Sequence, residues 1–338
     1  MTHSFSPRPA GGSARGWSYY SALSNCELQW FLKYLYRSKE APPKSTGMEA
    51  RFTPRHLLVG SLFHIGAETW YRSSWDGSQD TGAYNLDPAI DAIHTLATER
   101  EAEWSSPNER LDDIALASSL MTHYGQRFGP NGPEQDYPNY RVFNFNGLPA
   151  VELELGIDLE MATEGEVFTS KLDVILMDNN GVLWGMEHKT SAARRVHSQL
   201  QKFNMDGQVT GQYTNLLSHF PSHQIGGVII NIVVKDAAKT KPSFHRRIYT
   251  RTEPQIQQFL DSVRIKSARI NQIKDGLTKT PDQWDTALTI LDCTPNAERC
   301  YGMGKCDFFE ICLDREVGRR ILDTSFIPRV RVDGPTAV

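Results

Sequence analysis

The chain has 338 residues, of which 39% are hydrophobic and 22% are charged, and its formal net charge is −4. This is the composition of an ordinary globular protein. The negative charge excludes a general polycation, so any contact with nucleic acid must come from a local basic surface or from metal ions. No apolar run approaches the roughly 20 residues of a membrane span, and the N-terminus lacks a secretory signal, so we expect a cytoplasmic protein without membrane contact.

The first part of the chain is predicted to be mainly helical. Residues 1–16 are rich in Ser, Pro, Gly and Arg and are expected to form a disordered tail. A helix is expected from about Ser18 to Arg37, and the segment Ala-Pro-Pro-Lys-Ser-Thr-Gly at 41–47 is typical of a linker. Apolar periodicity predicts further helices at 54–72, 87–104 and 112–128.

The second part of the chain is predicted to alternate between strands and helices. The expected strands are 140–146, 150–161, 166–177 and 182–189, and a helix follows at 197–219. The β-branched run at 225–234 is typical of a buried central strand. It is followed by a neighbouring strand at 243–250 and a long helix at 253–273. This order predicts one α/β unit with a helical N-terminal part and a central mixed β-sheet.

A predicted β-hairpin near the middle of the chain carries the most informative residues. One strand contains Asp173, Asp-Asn-Asn-Gly at 178–181 forms the turn, and the next strand ends in Glu187, His188 and Lys189. Because alternate side chains of a strand share a face, Glu187 and Lys189 point together and His188 points to the other face. If Asp173 lies alongside, two carboxylates and an ammonium converge. Such a group favours Mg²⁺ or Mn²⁺ and is suited to cutting phosphodiesters. The alternative is a surface hairpin with a weak Glu–Lys ion pair.

Polar residues on two predicted helices can extend this site. His64 ends the segment Gly-Ser-Leu-Phe-His, and it is either a metal ligand or a hydrogen-bonded core histidine. Gln208 and Gln212 share one face of the helix that follows the Glu-x-Lys strand. Their amides either orient a phosphate or a water molecule, or belong to a solvated helix face.

Four of the five cysteines lie in the last fifty residues, which indicates a metal or cluster site rather than disulfides in a reducing compartment. Cys300, Cys306 and Cys312 are separated by two equal gaps and need a fourth ligand, for which Cys293 and Cys26 are both candidates. The paired Cys-x2–4-Cys motifs of structural zinc are absent, so an iron–sulfur cluster is favoured over zinc. Buried free thiols are the remaining alternative.

Together these motifs resemble the RecB-like branch of the PD-(D/E)XK nuclease superfamily. That branch includes phage exonucleases, CRISPR-associated adaptation nucleases and AddB-type nuclease domains with an iron–sulfur cluster. The resemblance covers about 17–313. It rests on a series of motifs in the order of the family: Ser21-x4-Cys26 followed by aromatic residues, Gly60-x3-His64, Asp173, Glu187-x-Lys189, Gln208 and the segment Cys306-Asp-Phe-Phe-Glu-Ile-Cys312.

The sequence departs from the family pattern at two places. Gln212 occupies the position of the tyrosine in the family's Gln-x3-Tyr motif, and Tyr213 is one residue further along. The gap between Cys300 and Cys306 is longer than the Cys-x2-Cys of the CRISPR-associated relatives. The second departure favours the phage-exonuclease side of the branch.

The resemblance implies a restriction-endonuclease-like fold, with one nuclease domain at 17–313 that includes a helical insertion at about 75–135 and is followed by a tail at 314–338. It also implies a [4Fe-4S] cluster that ties the N-terminal helix to the C-terminal segment and leaves Cys293 outside. The implied cluster ligands are Cys26, Cys300, Cys306 and Cys312.

The implied activity is hydrolysis of DNA phosphodiesters with Mg²⁺ or Mn²⁺. His64, Asp173, Glu187 and the carbonyl of His188 would hold the metal. Lys189 would act on the nucleophile or the transition state, and Gln208 would orient the nucleophile. Together with Asp173 and Glu187, these two residues make up the catalytic set. Contacts with DNA phosphates are expected from four flanking basic residues: Lys171, Arg194, Arg195 and Lys202.

The implied substrates are linear or single-stranded DNA ends. The implied setting is phage or bacterial recombination, repair or end processing, in the host cytoplasm if the chain is phage-encoded. A recombination partner protein or a second copy of the chain is an expected partner. The alternative is a non-catalytic DNA-binding or assembly subunit that keeps the fold and cluster as a scaffold. The intact set of Asp173, Glu187 and Lys189 argues against that alternative.

Overall fold

A computed structural model describes residues 15–36, 45–50, 53–136, 139–160, 166–235, 242–278, 287, 290–291, 300–301 and 305–330. Most of the predicted N-terminal tail, Cys293 and the last eight residues lie outside these ranges. Within them, no helix combines the length and the apolar character needed to cross a membrane.

Helices make up most of the N-terminal part, as predicted, and recur throughout the chain. They are α1 Trp17–Asn25, α2 Glu27–Tyr34, α3 Arg55–Ser73, α4 Leu86–Glu99, α5 Pro107–Phe128, α6 Val196–Lys202, α7 Gly207–His219, α8 Glu253–Thr278, α9 Phe309–Leu313 and α10 Arg315–Ser325. Short 3-10 helices occupy Glu101–Glu103, Ala193–Arg195 and Ser222–Gln224.

Two of the predicted helices are in fact each a pair of helices. The helix expected at 18–37 breaks at Cys26, which has an extended backbone and caps α2 by accepting a hydrogen bond from the N–H of Gln29 at 3.4 Å. The helix expected at 197–219 breaks before α7, because Asp206 accepts hydrogen bonds from the first N–H groups of that helix. Both breaks come from a side chain that satisfies helix N–H groups locally.

The strands form one six-stranded sheet and two small pairs. They are β1 Ser45–Ala50, β2 Tyr140–Val142, β3 Asn144–Phe145, β4 Leu148–Pro149, β5 Val151–Asp158, β6 Val167–Asp178, β7 Leu183–Ser191, β8 Ile225–Val234, β9 Phe244–Tyr249 and β10 Phe326–Val330. The main sheet has the order β2–β6–β7–β8–β9, and β5 also pairs with β6. Strands β7 and β8 are parallel, and the other pairs are antiparallel. The predicted mixed sheet flanked by helices is therefore confirmed.

The remaining strands change two expectations at the edges of the domain. Strand β1 begins at Ser45, so the last three residues of the linker predicted at 41–47 belong to a strand, and the rest of that segment lies outside the described residues. The segment expected as a C-terminal tail contains α10 and β10, and β10 pairs antiparallel with β1. The two ends of the described chain therefore meet in a small sheet.

The main sheet is covered on both faces, which explains why β8 is apolar along its length except at Asn231. On one face, Ile229 and Val233 pack with α3, α4 and α5, and on the other, Ile230 and Ile232 pack with α7. A third apolar cluster joins α1, α2 and α8 to the C-terminal segment. Strands β6 and β7 therefore lie between α3 and α7, and the polar residues of these four elements are brought together.

Candidate active site

Asp173 lies where the ladder between β6 and β7 ends. The last paired residues are Val174 and Met186, and beyond them the Oδ2 atom of Asp173 accepts a hydrogen bond from the N–H of His188 at 2.6 Å. A side-chain carboxylate thus replaces a main-chain acceptor at this position. The structure therefore brings Asp173 beside the Glu-x-Lys segment.

Glu187 and Lys189 both face α7, while His188 faces the other side of the sheet. Glu187 is buried, and its Oε1 atom accepts hydrogen bonds from Lys189 Nζ at 2.5 Å and from Gln208 Nε2 at 2.7 Å. Its Oε2 atom accepts from Gln212 Nε2 at 2.6 Å. Lys189 Nζ also donates to Gln208 Oε1 at 3.0 Å. Two glutamines of α7 therefore fix the carboxylate and the ammonium relative to each other.

The ion pair with Glu187 keeps Lys189 charged. Burial would lower the pKa of Lys189, but the nearby carboxylate of Glu187 raises it overall. The ammonium lies beside a cleft whose lining includes Glu187, Lys171 and Asp173. A fixed positive charge between two carboxylates thus borders a cleft.

His64 reaches the same site from α3. Its Nδ1 atom lies 3.3 Å from Asp173 Oδ2. Burial would lower the pKa of His64, but the charge of Asp173 and the bond to it raise the pKa overall. For Asp173, burial raises the pKa, yet the charge of His64 outweighs burial and the pKa falls well below its usual range. The pair behaves as an imidazole and a carboxylate that stabilise each other's charge.

Glu152 completes a compact group that the sequence did not reveal. One ligand atom each from His64, Glu152 and Asp173 all lie within 4.8 Å of one another. Glu152 lies in β5 between the register pairs Val151–Val174 and Leu153–Leu172, so it is opposite Asp173. Its φ of 55° is unusual for a residue with a side chain and indicates local strain that the surroundings maintain.

The carboxylate of Glu152 is in an unusual electrostatic environment. Burial and the nearby charge of Asp173 raise its pKa to about 7, although the Lys171 ammonium forms an ion pair with it. A buried carboxylate with a raised pKa beside a second carboxylate is typical of a functional site. Two carboxylates and an imidazole are also suitable ligands for a divalent metal ion.

The family of the chain follows from its sequence match. Residues 17–312 match the model described as the PD-(D/E)XK nuclease superfamily. The chain belongs to this superfamily. Membership implies a nuclease that uses divalent metal ions and acts on nucleic acid, in agreement with the compact group around Asp173.

Other comparisons give no closer description of this PD-(D/E)XK protein. No curated protein matches the chain. Among solved structures, it is similar to the crystal structure of SSO0001, with 12% sequence identity and a TM-score of 0.26, over 62% of this chain and 84% of that chain.

On the face of β7 that packs against α3 and α5, aromatic rings cover His188 of this PD-(D/E)XK domain. The imidazole of His188 is surrounded by Phe63, Tyr71 and Tyr124, with ring centroids 5.5 to 6.0 Å away. Asn231 Nδ2 donates to His188 Nδ1 over 2.9 Å. Burial lowers the pKa of His188 to about 3, so the ring is neutral at physiological pH.

A buried ion pair supports these rings from behind. Arg246 Nη1 lies 2.5 Å from Asp136 Oδ1, and Arg246 Nη2 donates to the hydroxyl of Tyr124 at 2.8 Å. The hydroxyl of Tyr71 donates to Asp136 Oδ2 at 3.0 Å. This network connects α3, α5 and β9 across the face of the sheet on which His188 lies.

The four predicted cluster cysteines lie in the same region but do not form a compact group. Among the described residues, only the group around Asp173 has ligand atoms within 4.8 Å of one another. None of the four described cysteines forms a disulfide. Cys26, Cys306 and Cys312 pack against the apolar cluster that joins α1, α2 and α8 to the C-terminal segment. Among the described residues, the cysteines therefore share a region without forming the compact ligand group of a metal site.

The four basic residues predicted to bind DNA have different environments. Lys171 is paired with Glu152. Arg194 and Arg195 are exposed in the 3-10 helix after β7. Lys202 is exposed on α6, and its Nζ lies 3.9 Å from Asp206 Oδ2. Lys171 therefore lies at the compact group itself, whereas the other three are on the surface nearby.

Proposed function

We propose that this chain is a DNA exonuclease that hydrolyses phosphodiester bonds with Mg²⁺ or Mn²⁺. The observation that carries the proposal is the position of Asp173, which lies between the imidazole of His64 and the Glu187–Lys189 pair. This arrangement combines metal-ligand chemistry with a fixed ammonium, and both stabilise charge on a phosphoryl group.

The metal ligands would come from four side chains and one main-chain carbonyl. We assign this role to His64, Asp173, Glu187 and the carbonyl of His188, and we add Glu152. A bound divalent ion would lower the pKa of water and stabilise charge on the phosphate. His64, Glu152 and Asp173 have ligand atoms within 4.8 Å of one another, and Glu187 on β7 would add a third carboxylate to a donor set that suits such an ion.

The protein's own groups would act around the ion. Lys189 would orient the attacking water or neutralise charge that develops on the phosphate oxygens. Gln208 and Gln212 would hold Glu187 in place through the bonds described above, and Gln208 would also hold Lys189. These residues fix the site before substrate binds, which is how a preorganised polar site lowers a reaction barrier.

The order of motifs supports the RecB-like branch and a single nuclease domain at about 17–313. On this basis the substrates are linear or single-stranded DNA ends, and the setting is phage or bacterial recombination, repair or end processing. The protein would work in the cytoplasm, which is the host's if the chain is phage-encoded. It would act with a recombination partner protein or as a homo-oligomer.

We also propose that Cys26, Cys300, Cys306 and Cys312 hold a [4Fe-4S] cluster. Burial raises the pKa of the Cys306 thiol, and Cys26 and Cys300 raise it further, so these three thiols lie close enough to interact. The N–H of Cys306 donates to the carbonyl of Cys300 at 2.9 Å. A group within 4.8 Å suits one ion, whereas the ligands of a cluster are distributed over several iron atoms.

The nuclease proposal is tested with Lys189→Ala. We expect this variant to lose activity on end-labelled DNA by at least about 100-fold in Mg²⁺ or Mn²⁺, because the fixed ammonium is removed. The variant should still fold, with the circular dichroism spectrum of the wild type, although loss of the ion pair with the buried Glu187 lowers its melting temperature. Lys305→Ala, which removes an exposed lysine paired with Glu310, is the matched control and should keep full activity. Undiminished activity of Lys189→Ala would sink the proposal.

The cluster proposal is tested with Cys306→Ser. Protein purified without oxygen should contain iron and inorganic sulfide and absorb visible light, and the variant should lose all three. The variant should also lose thermal stability before it loses cleavage, since the cysteines lie in the region of α1, α2 and α8 rather than at the compact group. A stable, colourless and active wild-type protein would contradict the cluster.

A further inference from the structure

A set of basic and polar residues lies beside the candidate active site, at the C-terminal ends of β7 and β8. It consists of His56 in the first turn of α3, Thr190 in β7, Arg195 after β7 and Lys235 after β8. We call these four residues the basic patch. The main-chain N–H of Lys235 donates to the carbonyl of Ser191 at 2.8 Å, which fixes the position of the lysine.

Tertiary contacts hold the basic patch together. The ammonium of Lys235 donates to the main-chain carbonyl of His56, and it lies 3.4 Å from Thr190 Oγ1. Helix α3 and strand β7 are very close here, since a Cβ atom on Gly60 would lie 3.1 Å from Thr190 Oγ1. Lys235, His56 and Thr190 are therefore a fixed arrangement from separate elements, and the exposed Arg195 adds a second positive charge near His56.

Within the described ranges, which leave out Asp236, no carboxylate forms an ion pair with the positive charge of the patch. Among the residues that the structure describes, neither Arg195 nor Lys235 forms an ion pair with a carboxylate. The acidic group that acts on Lys235 is Asp113, and its two oxygens already accept bonds from Arg55 at 2.8 Å and Trp104 at 2.9 Å.

The pKa values of His56 and Lys235 are both lowered. Burial lowers the pKa of His56, and the charges of Lys235 and Arg195 lower it further. Burial also lowers the pKa of Lys235. Because like charges that lack a counter-ion repel one another, a bound anion would stabilise the patch.

Helix α3 connects the basic patch to the group formed by His64, Glu152 and Asp173. His56, Gly60 and His64 are four residues apart and share one face of α3. At a rise of 1.5 Å per residue, His56 lies about 12 Å along the helix axis from His64. A DNA strand carries one phosphate for roughly every 3.4 Å of helix axis, and the phosphates are further apart along the strand itself, so this distance corresponds to at most about three to four nucleotides.

We propose that the basic patch is a phosphate-binding subsite that holds the DNA strand within about three to four nucleotides of the bond that is cleaved. The proposal rests on the nuclease function proposed above. Arg195 and Lys235 supply the charge, and Thr190 and His56 supply hydrogen-bond donors. Such contacts position the strand and do not select its sequence.

Salt-dependent binding tests the subsite without cleavage. Fluorescence anisotropy with labelled single-stranded and duplex DNA is measured on the full chain in EDTA over a salt titration. In Arg195→Ala and in Lys235→Gln, the slope of log affinity against log salt should fall by about 0.7 to 0.9 for each DNA phosphate that the variant no longer binds. Arg195→Lys and Lys235→Arg, which keep the charge, should restore most of the slope.

The matched control is Arg141→Ala. Arg141 is exposed in β2, which pairs with the C-terminal end of β6 at the opposite end of the sheet, and this variant should keep the wild-type slope. Since Arg195 is exposed, Arg195→Ala gives a result even if Lys235→Gln does not fold. Wild-type slopes in both patch variants would overturn the subsite.

Cleavage of short DNA separates the subsite from the nuclease function. A double variant that combines Arg195→Ala with Lys235→Gln should match the wild type on a dinucleotide, whose only phosphate is the one that is cleaved, and should have a higher KM on longer oligonucleotides, with kcat little changed. The same KM increase at every length would contradict the proposed distance. A wild-type protein that binds DNA with the patch-dependent slope but never cleaves it would contradict the nuclease proposal and leave the subsite standing.

Discussion

The two faces of β7 use polar groups in opposite ways. On the α7 face, Glu187 and Lys189 are held by amides and stay within reach of a cleft. On the α3 face, His188 is buried among aromatic rings and a closed ion-pair network, and it is kept neutral. The same strand thus carries charges that a ligand can reach on one side and polar groups that only the protein contacts on the other. The first face therefore carries the proposed catalytic groups, and the polar groups of the second face bond within the protein.

The largest effect is expected when the cation of the buried network on the α3 face is removed. Arg246→Met leaves the buried Asp136 without its partner, and breaking a buried ion pair costs about 3 to 5 kcal/mol in the free energy of unfolding. Denaturant titration measures this loss. Arg247→Met, which changes the exposed neighbour on the same strand, should cost less than about 0.5 kcal/mol. Equal losses in both variants would show that the network does not stabilise the α3 face.

On the α7 face the main effect should be on activity. Gln212→Leu removes the donor to Glu187 Oε2, and loss of such a supporting bond typically costs about 10- to 100-fold in activity or metal affinity. Asn215→Leu is the matched control on the same helix, since Asn215 is equally buried but bonds to Ser170 rather than to Glu187. Steady-state cleavage rates should fall for Gln212→Leu alone. If both variants lose the same activity, the effect is general destabilisation of α7.

The smallest effect concerns Glu152, which lies in β5 opposite Asp173. Because its pKa is raised to about 7, the carboxylate is half protonated near neutral pH and must lose a proton to bind a metal ion. Metal affinity should therefore rise with pH through about 7, by at most about tenfold per pH unit, and level off above it. Calorimetry in buffers of different ionisation enthalpy measures the proton release, and Glu152→Gln should abolish it. A pH-independent affinity in the wild type would exclude Glu152 as a ligand.

The same raised pKa has a consequence for stability without metal. The folded state binds the proton more tightly than the unfolded chain, so protonated Glu152 favours folding. This contribution is present below the ordinary glutamate pKa and is lost as the pH rises through about 7. Glu152 therefore does not contribute to any rise in the stability of the wild type from acid to neutral pH. Such a rise must come from other groups, such as Asp173, whose pKa is lowered in the folded state.

Regular structure was predictable from the sequence where local patterns decide it. The alternation along β7 correctly placed Glu187 and Lys189 on one face and His188 on the other, and the apolar run at 225–234 correctly predicted β8. The break before α7 had a visible signal as well, because Asp206 is a typical cap residue. Cysteine is not a typical cap residue, so no sequence signal indicated the break at Cys26.

The features that sequence patterns missed depend on backbone irregularity or on distant contacts. Glu152 has a left-handed backbone within β5, which disrupts the alternation by which its direction would be predicted. Knowledge of the antiparallel register with β6 would have placed it opposite Asp173. Arg246 and Asp136 are 110 residues apart, and no local pattern links them. A buried pair of this kind is visible only when the fold has brought the two residues together.

The contact between the two ends of the chain has a consequence for synthesis. Strand β1, near the N-terminus, pairs with β10, and Glu27 on α2 forms an ion pair with Arg269 on α8, 242 residues later. The N-terminal helices therefore emerge from the ribosome long before the segments that cover them. Their apolar surfaces stay uncovered until α8 and β10 have been synthesised, so the packing of this region depends on contacts between residues that are far apart in the sequence.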